Sequence, residues 1–131
     1  MRGGIDGINL RGGFGRLRKH SDYQRVYRLS SKHFSASTTY FFAARSDCAA
    51  IGPRIGLTAG RVLGKAVERN RIKRRMREAV RLSLPALTRD VDVVLHPRRT
   101  VLRVNFRNLK EEVGRVFSSI ERAGAARDGT E

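Results

Sequence analysis

Hydrophobic residues recur at two spacings along this 131-residue chain. Tyr23, Val26 and Tyr27 stand at i, i+3 and i+4, so they share one face of a helix. Ser21 precedes them as an N-cap, with Gln24 three residues on in a capping-box pattern, and this helix is expected to end near Ser30. Period-two stretches follow. Ser37 to Ala44 is rich in Thr and aromatics, and Arg54 to Ala59 sets Ile55, Leu57 and Ala59 against Arg54, Gly56 and Thr58. A shorter strand fits Lys32 to Ser35, and Ser46-Asp47-Cys48 with Gly52-Pro53 marks a turn region.

Helical spacing returns from Lys65 to Arg81. There Ile72, Met76, Ala79, Val80 and Leu82 fall in one arc, and Asn70, Lys73, Arg74, Arg77 and Arg81 in the opposite one. Pro85 stops this helix. Val91 to Leu95 reads as a buried strand. Asn105 then caps a last helix on which Phe106, Leu109, Val113, Val116, Phe117 and Ile120 repeat. The order α-β-β-β-α-β-α makes this an α+β chain, with a mixed sheet of about four strands packed against three helices.

The ends break the pattern. Residues 1–15 hold six of the thirteen glycines and are expected to form an extension without fixed structure; residues 123–131 are expected to be a flexible tail. One folded domain, 16–122, lies between them.

Charge narrows the partners. The chain carries 28 Lys+Arg against 12 Asp+Glu, a net charge of +16, which suits a polyanion. No apolar run exceeds five residues, so no membrane-spanning helix or secretory signal core is expected. The single cysteine, Cys48, permits no internal disulfide, and the simplest expectation is a cytoplasmic protein. The helix over Lys65–Arg81 concentrates eight basic residues against two acids, Glu68 and Glu78. Surface helices ordinarily mix signs at i, i+4; like charges stacked on one face cost stability until an anion compensates them. Arginine forks match phosphate oxygens in geometry as well as charge.

Tyr23 and Tyr27 fit either a core or a half-wet stacking platform for single-stranded nucleic acid. Phe41 and Phe42 are adjacent on a strand and so point to opposite faces; which one meets the core is left open. Hydrolytic machinery is missing from the pattern. The acids are scattered, Asp90 and Asp92 read best as strand-entry residues, and His20, His33 and His96 lack ligand spacing. Gly56-x3-Gly60-x3-Gly64 is no phosphate-cradling loop.

The run Lys65-Ala-Val-Glu-Arg69-Asn70-Arg71-Ile-Lys73-Arg74-Arg-Met-Arg77-Glu-Ala79 closely resembles the signature of the bacterial ribonuclease P protein family. Leu17-Arg18 with Ser21–Tyr27, Arg54–Thr58 and Asp92–Leu95 extend the resemblance over about residues 16–122. It implies a left-handed crossover around the basic helix, which is rare. It also implies a catalytic RNA partner that, with its Mg²⁺ ions, removes the 5′ leader of precursor tRNA, while one protein per RNA supports binding and is not itself catalytic. Lys65, Arg69, Asn70, Arg71 and Arg74 would contact the RNA subunit; Tyr23, Tyr27, Phe42, Lys73 and Arg77 would line the leader cleft, with Tyr40 as the lesser candidate for the sheet aromatic. Two segments depart from the family pattern: Thr58–Gly64, where Gly60 and Val62 replace a hydroxyl and a lysine, and His96-Pro97-Arg98. The competing reading is a structural RNA-binding protein of the ribosome. A DNA-binding regulator fits less well, because no helix sits a short turn before the basic one.

Overall fold

β-branched and aromatic residues at alternating positions build the centre of a mixed sheet from β4 (Thr38–Ala44), β5 (Arg54–Thr58) and β6 (Val91–Pro97). The computed structural model describes the backbone at residues 5–7, 15–45 and 52–130, with side chains at 16–45 and 52–123. β6 lies between antiparallel β4 and parallel β5. β3 (His33–Phe34) adds to the outer edge of β4, while β1 (Ile5–Gly7) and β2 (Gly15–Arg16) both pair with β5. The sheet order is β1-β5-β6-β4-β3, with β2 off this path. Among the described residues there are three α-helices: α1 (His20–Leu29), α2 (Ala66–Ser83), which crosses over from β5 to β6, and α3 (Phe106–Thr130). The expected α-β-β-β-α-β-α order of an α+β chain is observed from α1 onward, with β1 and β2 added before it.

Each face of the sheet has its own core. Ile55, Leu57, Val91, Val93 and Leu95 point toward α2 and α3, where Ile72, Met76, Ala79, Val80, Leu109, Val113 and Phe117 meet them. Val94, Ala43 and Phe41 point the other way and are covered by Leu17, Tyr23 and Val26. β6 is therefore buried on both faces, which explains why it reads as a continuous apolar run.

Several local expectations shift. α1 starts at His20, because the Lys19 carbonyl already accepts from the Asp22 and Tyr23 amides; Ser21 lies exposed inside the helix. Leu82 is 39% exposed, and Ser83 takes the buried position in its place, since the Ile72–Met76–Ala79–Val80 stripe continues there at helical spacing. Asn105 caps α3 as expected, its Oδ1 accepting from the Asn108 amide at 3.0 Å. α3 continues to Thr130, through the segment expected to be a tail; alanines at 123, 125 and 126 favour helix. Most of the glycine-rich extension lies outside the described residues, as does Ser46–Cys48 of the turn region, but Ile5–Gly7 is paired strand. Asp90 does serve the strand entry: its Oδ1 accepts from the Gly52 amide at 2.6 Å, where Gly52 has φ +91°.

Two polar clamps fix the elements. Asp92, fully buried, takes two hydrogen bonds from Arg54 at 2.7 Å each, across the parallel β5·β6 pair. Arg54 also reaches Asp22 of α1 at 3.5 Å, and Arg25 approaches Asp92 at 3.8 Å. The second clamp sets the start of α2. Glu68 accepts from its own N-cap amide, Lys65, at 3.0 Å and from Arg99 at 3.2 Å, while Arg99 also holds the Leu63 carbonyl. Arg99 and the Lys65 amide keep the Glu68 carboxyl below its ordinary range. Gly64 makes this approach possible: its φ is +123°, and a Cβ there would collide with Glu68 and Arg99.

Truncating one member of the buried pair, Asp92→Ala, should destabilise the fold by about 3 kcal/mol, while Arg54→Met with Asp92→Leu should recover most of that loss, both read by urea denaturation. Gly64→Ala should cost about 1–3 kcal/mol through its backbone alone and lower Tm; an unchanged Tm would show that the turn before α2 relaxes freely.

Candidate nucleic-acid interface

α2 is held by its apolar side. Ile72, Met76, Ala79 and Val80 are fully buried, and this leaves Asn70, Arg71 and Arg74 exposed to solvent. Lys65, at the N-cap, is exposed as well. Arg69 to Arg71 occupy the first two turns, where the helix dipole adds positive potential to their own charge. Lys73 and Arg77 are half-buried. Arg69 and Arg75 each carry a buried Nε with no hydrogen-bond partner among the described residues, although Arg75 also donates to the Val104 carbonyl. The row Arg74–Arg77–Arg81, expected to be all cationic, is interrupted at its end: Arg81 donates to Glu78 at 3.1 Å and keeps that carboxyl below its ordinary range. Val62 and Val67, 90% and 72% exposed, place apolar surface beside the start of the helix.

The second part of the site is on the α1 face. By strand parity Arg54, Gly56 and Thr58 of β5, Asp92, Val94 and His96 of β6, and Thr39, Phe41 and Ala43 of β4 share it. Tyr27, 37% exposed, sets its ring edge-on to Phe41 at 5.0 Å and to His96 at 5.6 Å. Its hydroxyl and His96 Nε2 hydrogen-bond at 2.8 Å. Burial raises the Tyr27 hydroxyl, with the neighbouring Thr58 hydroxyl opposing. Burial and the charge of Lys32 lower His96, so the imidazole stays neutral at neutral pH. Thr58 Oγ1 is buried with no well-formed hydrogen bond among the described residues, and Arg98 donates to Thr39 at 2.7 Å. The result is a half-open aromatic and polar floor bordered by Lys32 and Arg98.

Two of the aromatics expected in the cleft are elsewhere, and Lys73 and Arg77 are carried by α2, whose apolar side packs on the opposite face of the sheet. Tyr23 is 1% exposed and belongs to the α1 core; its hydroxyl donates to the Leu17 carbonyl at 3.3 Å, and its ring sits where a Cβ on Gly56 would be. Phe42 points to the α2/α3 face, beside His33 at 5.1 Å and Tyr40 at 6.4 Å, so neither it nor Tyr40 can meet Tyr27. Phe41 and His96 take those places. Strand parity links them: Phe41 shares the face of its cross-strand partner Val94, and His96 lies two residues beyond Val94. Once Val93 and Leu95 are given to the larger core, Phe41 and His96 must face α1.

The acids do not converge. Among the described residues no three His, Cys, Asp or Glu side chains come together as a metal site, and no helix is long and apolar enough to cross a membrane. Asp90 and Asp92 are both engaged in structural hydrogen bonds.

A family model described as Ribonuclease P matches residues 14–121. The ribonuclease P protein component of Desulforapulum autotrophicum is 34% identical over 108 residues, covering 82% of this chain and 90% of that protein. The one from Chloroflexus aggregans is 41% identical over 104 residues, covering 78% and 74%. Among solved structures, the RNase P protein from Thermotoga maritima superposes with a TM-score of 0.70 at 25% identity, over 81% of this chain and 97% of that one. The RNase P protein of Staphylococcus aureus reaches 0.67 at 21% identity, over 81% and 94%, a likeness of fold. With the match running from the strand before α1 to the last buried turn of α3, and the Arg69-Asn70-Arg71 triplet at the head of a seated cationic helix, the chain belongs to the ribonuclease P protein family.

Proposed function

We propose that this chain is the protein subunit of ribonuclease P, binding the catalytic RNA and the 5′ leader of precursor tRNA so that the leader is removed. The observation that carries the reading is α2: its apolar side is consumed by the core, and Lys65, Asn70, Arg71 and Arg74 are left exposed to an RNA backbone, with half-buried Arg69 beside them. Tyr27 and Phe41 offer ring faces and edges to unpaired leader bases, His96 orients the Tyr27 hydroxyl, and Lys32 and Arg98 supply positive charge around them, while Lys73 and Arg77 are carried by α2 on the other side of the sheet. Protein and RNA thus divide the work. Among the described residues no donor set fits a Mg²⁺ site, and the reading assigns the ions that activate water and stabilise the leaving oxygen to RNA phosphates. One protein per RNA, acting in the cytoplasm, completes the reading. A purely structural ribosomal role would leave the Tyr27–Phe41–His96 floor without a ligand.

Arg71→Ala with Arg74→Ala should lower affinity for the RNA subunit and reduce the slope of log K against log salt by about 2, with circular dichroism unchanged. Addition of the wild-type protein should raise precursor-tRNA cleavage by the cognate RNA at low Mg²⁺; no effect would sink the assignment. Tyr27→Ala should weaken binding of leader-bearing precursor by about tenfold and mature tRNA hardly at all, whereas Tyr27→Phe should stay near wild type. Equal losses on both substrates would show that this floor does not read the leader.

A further inference from the structure

On the sheet face away from α1, the β3–β4 turn and α3 enclose a pocket of about 220 Å³ lined by Phe34, Ser35, Tyr40, Glu112, Arg115 and Ser119. Glu112 is 4% exposed. Its Oε2 accepts from the Ser37 amide at 2.6 Å and from the Ser35 hydroxyl, which ties the turn to α3. Its Oε1 has no partner among the described residues. Tyr40, 7% exposed, stacks on His33 at 5.2 Å, and its hydroxyl likewise has no partner among the described residues. Two largely buried residues therefore line one small pocket, and each keeps a polar atom with bonding capacity to spare that water or a ligand can reach. Phe34, 68% exposed, leaves an aromatic ring at the rim, and Arg115 leaves a guanidinium there.

We propose that this pocket binds an unpaired RNA base bearing an exocyclic amine, of which cytosine is the test case, with Glu112 Oε1 accepting from the amine and the Tyr40 hydroxyl donating to the adjacent ring nitrogen. Phe34 covers the base and Arg115 meets its phosphate. The volume is ample for a single base. Uracil is disfavoured because its ring N–H lies between two carbonyl oxygens, which would be driven against the carboxylate. Burial raises the Tyr40 hydroxyl, which keeps it a proton donor. Only the choice of RNA as ligand rests on the reading of the chain as a ribonuclease P subunit; the pocket lies behind the sheet, apart from Tyr27 and the leader floor.

The full chain is titrated with CMP and, separately, with UMP while the amide resonances of Phe34, Ser35, Tyr40 and Glu112 are followed by NMR. CMP should give saturable shifts confined to these positions, with UMP binding about tenfold more weakly. Glu112→Gln keeps an oxygen for the Ser37 amide and turns an amine toward the pocket, so it should reverse the preference toward UMP. Equal responses to the two nucleotides would reduce the site to a phosphate contact at Arg115 and overturn the proposal, as would the absence of shifts at these amides or an unchanged preference in Glu112→Gln. Should Glu112→Gln fail to fold, Tyr40→Phe decides: it retains the ring on His33 and should weaken CMP several-fold, and wild-type affinity would overturn the proposal. Failure of precursor cleavage in reconstitution would leave these spectra unaffected, so the two readings fail separately.

Discussion

The buried contact between Arg54 and Asp92 organises this molecule. β5 and β6 are parallel, a pairing that no hairpin can impose, and its register depends on what their side chains do across the gap. Asp92 is fully buried on the middle strand, so its charge is tolerable only with Arg54 in place. Arg54 then extends to Asp22, which draws the start of α1 onto the same face. One carboxylate thereby couples the crossover that carries α2 to the helix that carries Tyr27.

α2 shows how a cationic surface is kept on a stable fold. Repulsion among Arg71, Arg74, Lys73 and Arg77 works against the helix, and intrinsic propensity alone would not offset it. Burial of Ile72, Met76, Ala79 and Val80, each about 1–3 kcal/mol by area, does. The Glu68–Arg99 contact and Gly64 set where the helix begins, and so where Arg69-Asn70-Arg71 is presented. Acidic residues of α2 appear at Glu68 and Glu78, where each meets an arginine outside the triplet.

What the sequence made legible follows from which physical rule governs each residue. Helices, central strands and the amphipathic split of α2 obey periodicity, and they were readable. Tyr23 and Tyr27 share a helix face, so periodicity assigns both the same fate; Gly56, distant in sequence, provides the hollow that Tyr23 fills and Tyr27 does not reach. Phe41 and Phe42 differ only in parity, and parity is fixed by the register with β6, a long-range fact. The Arg81–Glu78 contact is local and lies within the range of the i, i+3 rule, yet a wheel that sorts residues by sign conceals it. The spare oxygen of Glu112 has no sequence signal at all, because it depends on a turn from β3–β4 meeting α3 more than seventy residues later.

Helix length finally explains why one sheet face is open. α1 has ten residues and spans about 15 Å at 1.5 Å per residue. β6 and β4 have seven each and run about 23 Å. α1 is anchored at the Arg54–Asp92 end and reaches His96 only with Tyr27, its eighth residue. Among the described residues no helix lies above the strip beyond, where Thr58, His96 and Thr39 continue the face, while the opposite face lies under two helices of 18 and 25 residues. The half-wet floor is thus a consequence of a short helix pinned at one end. Lengthening α1 past Ser30 would close it, and the extended backbone at Ser30, whose hydroxyl accepts from the Phe42 amide, is what turns the chain into β3 before that can happen.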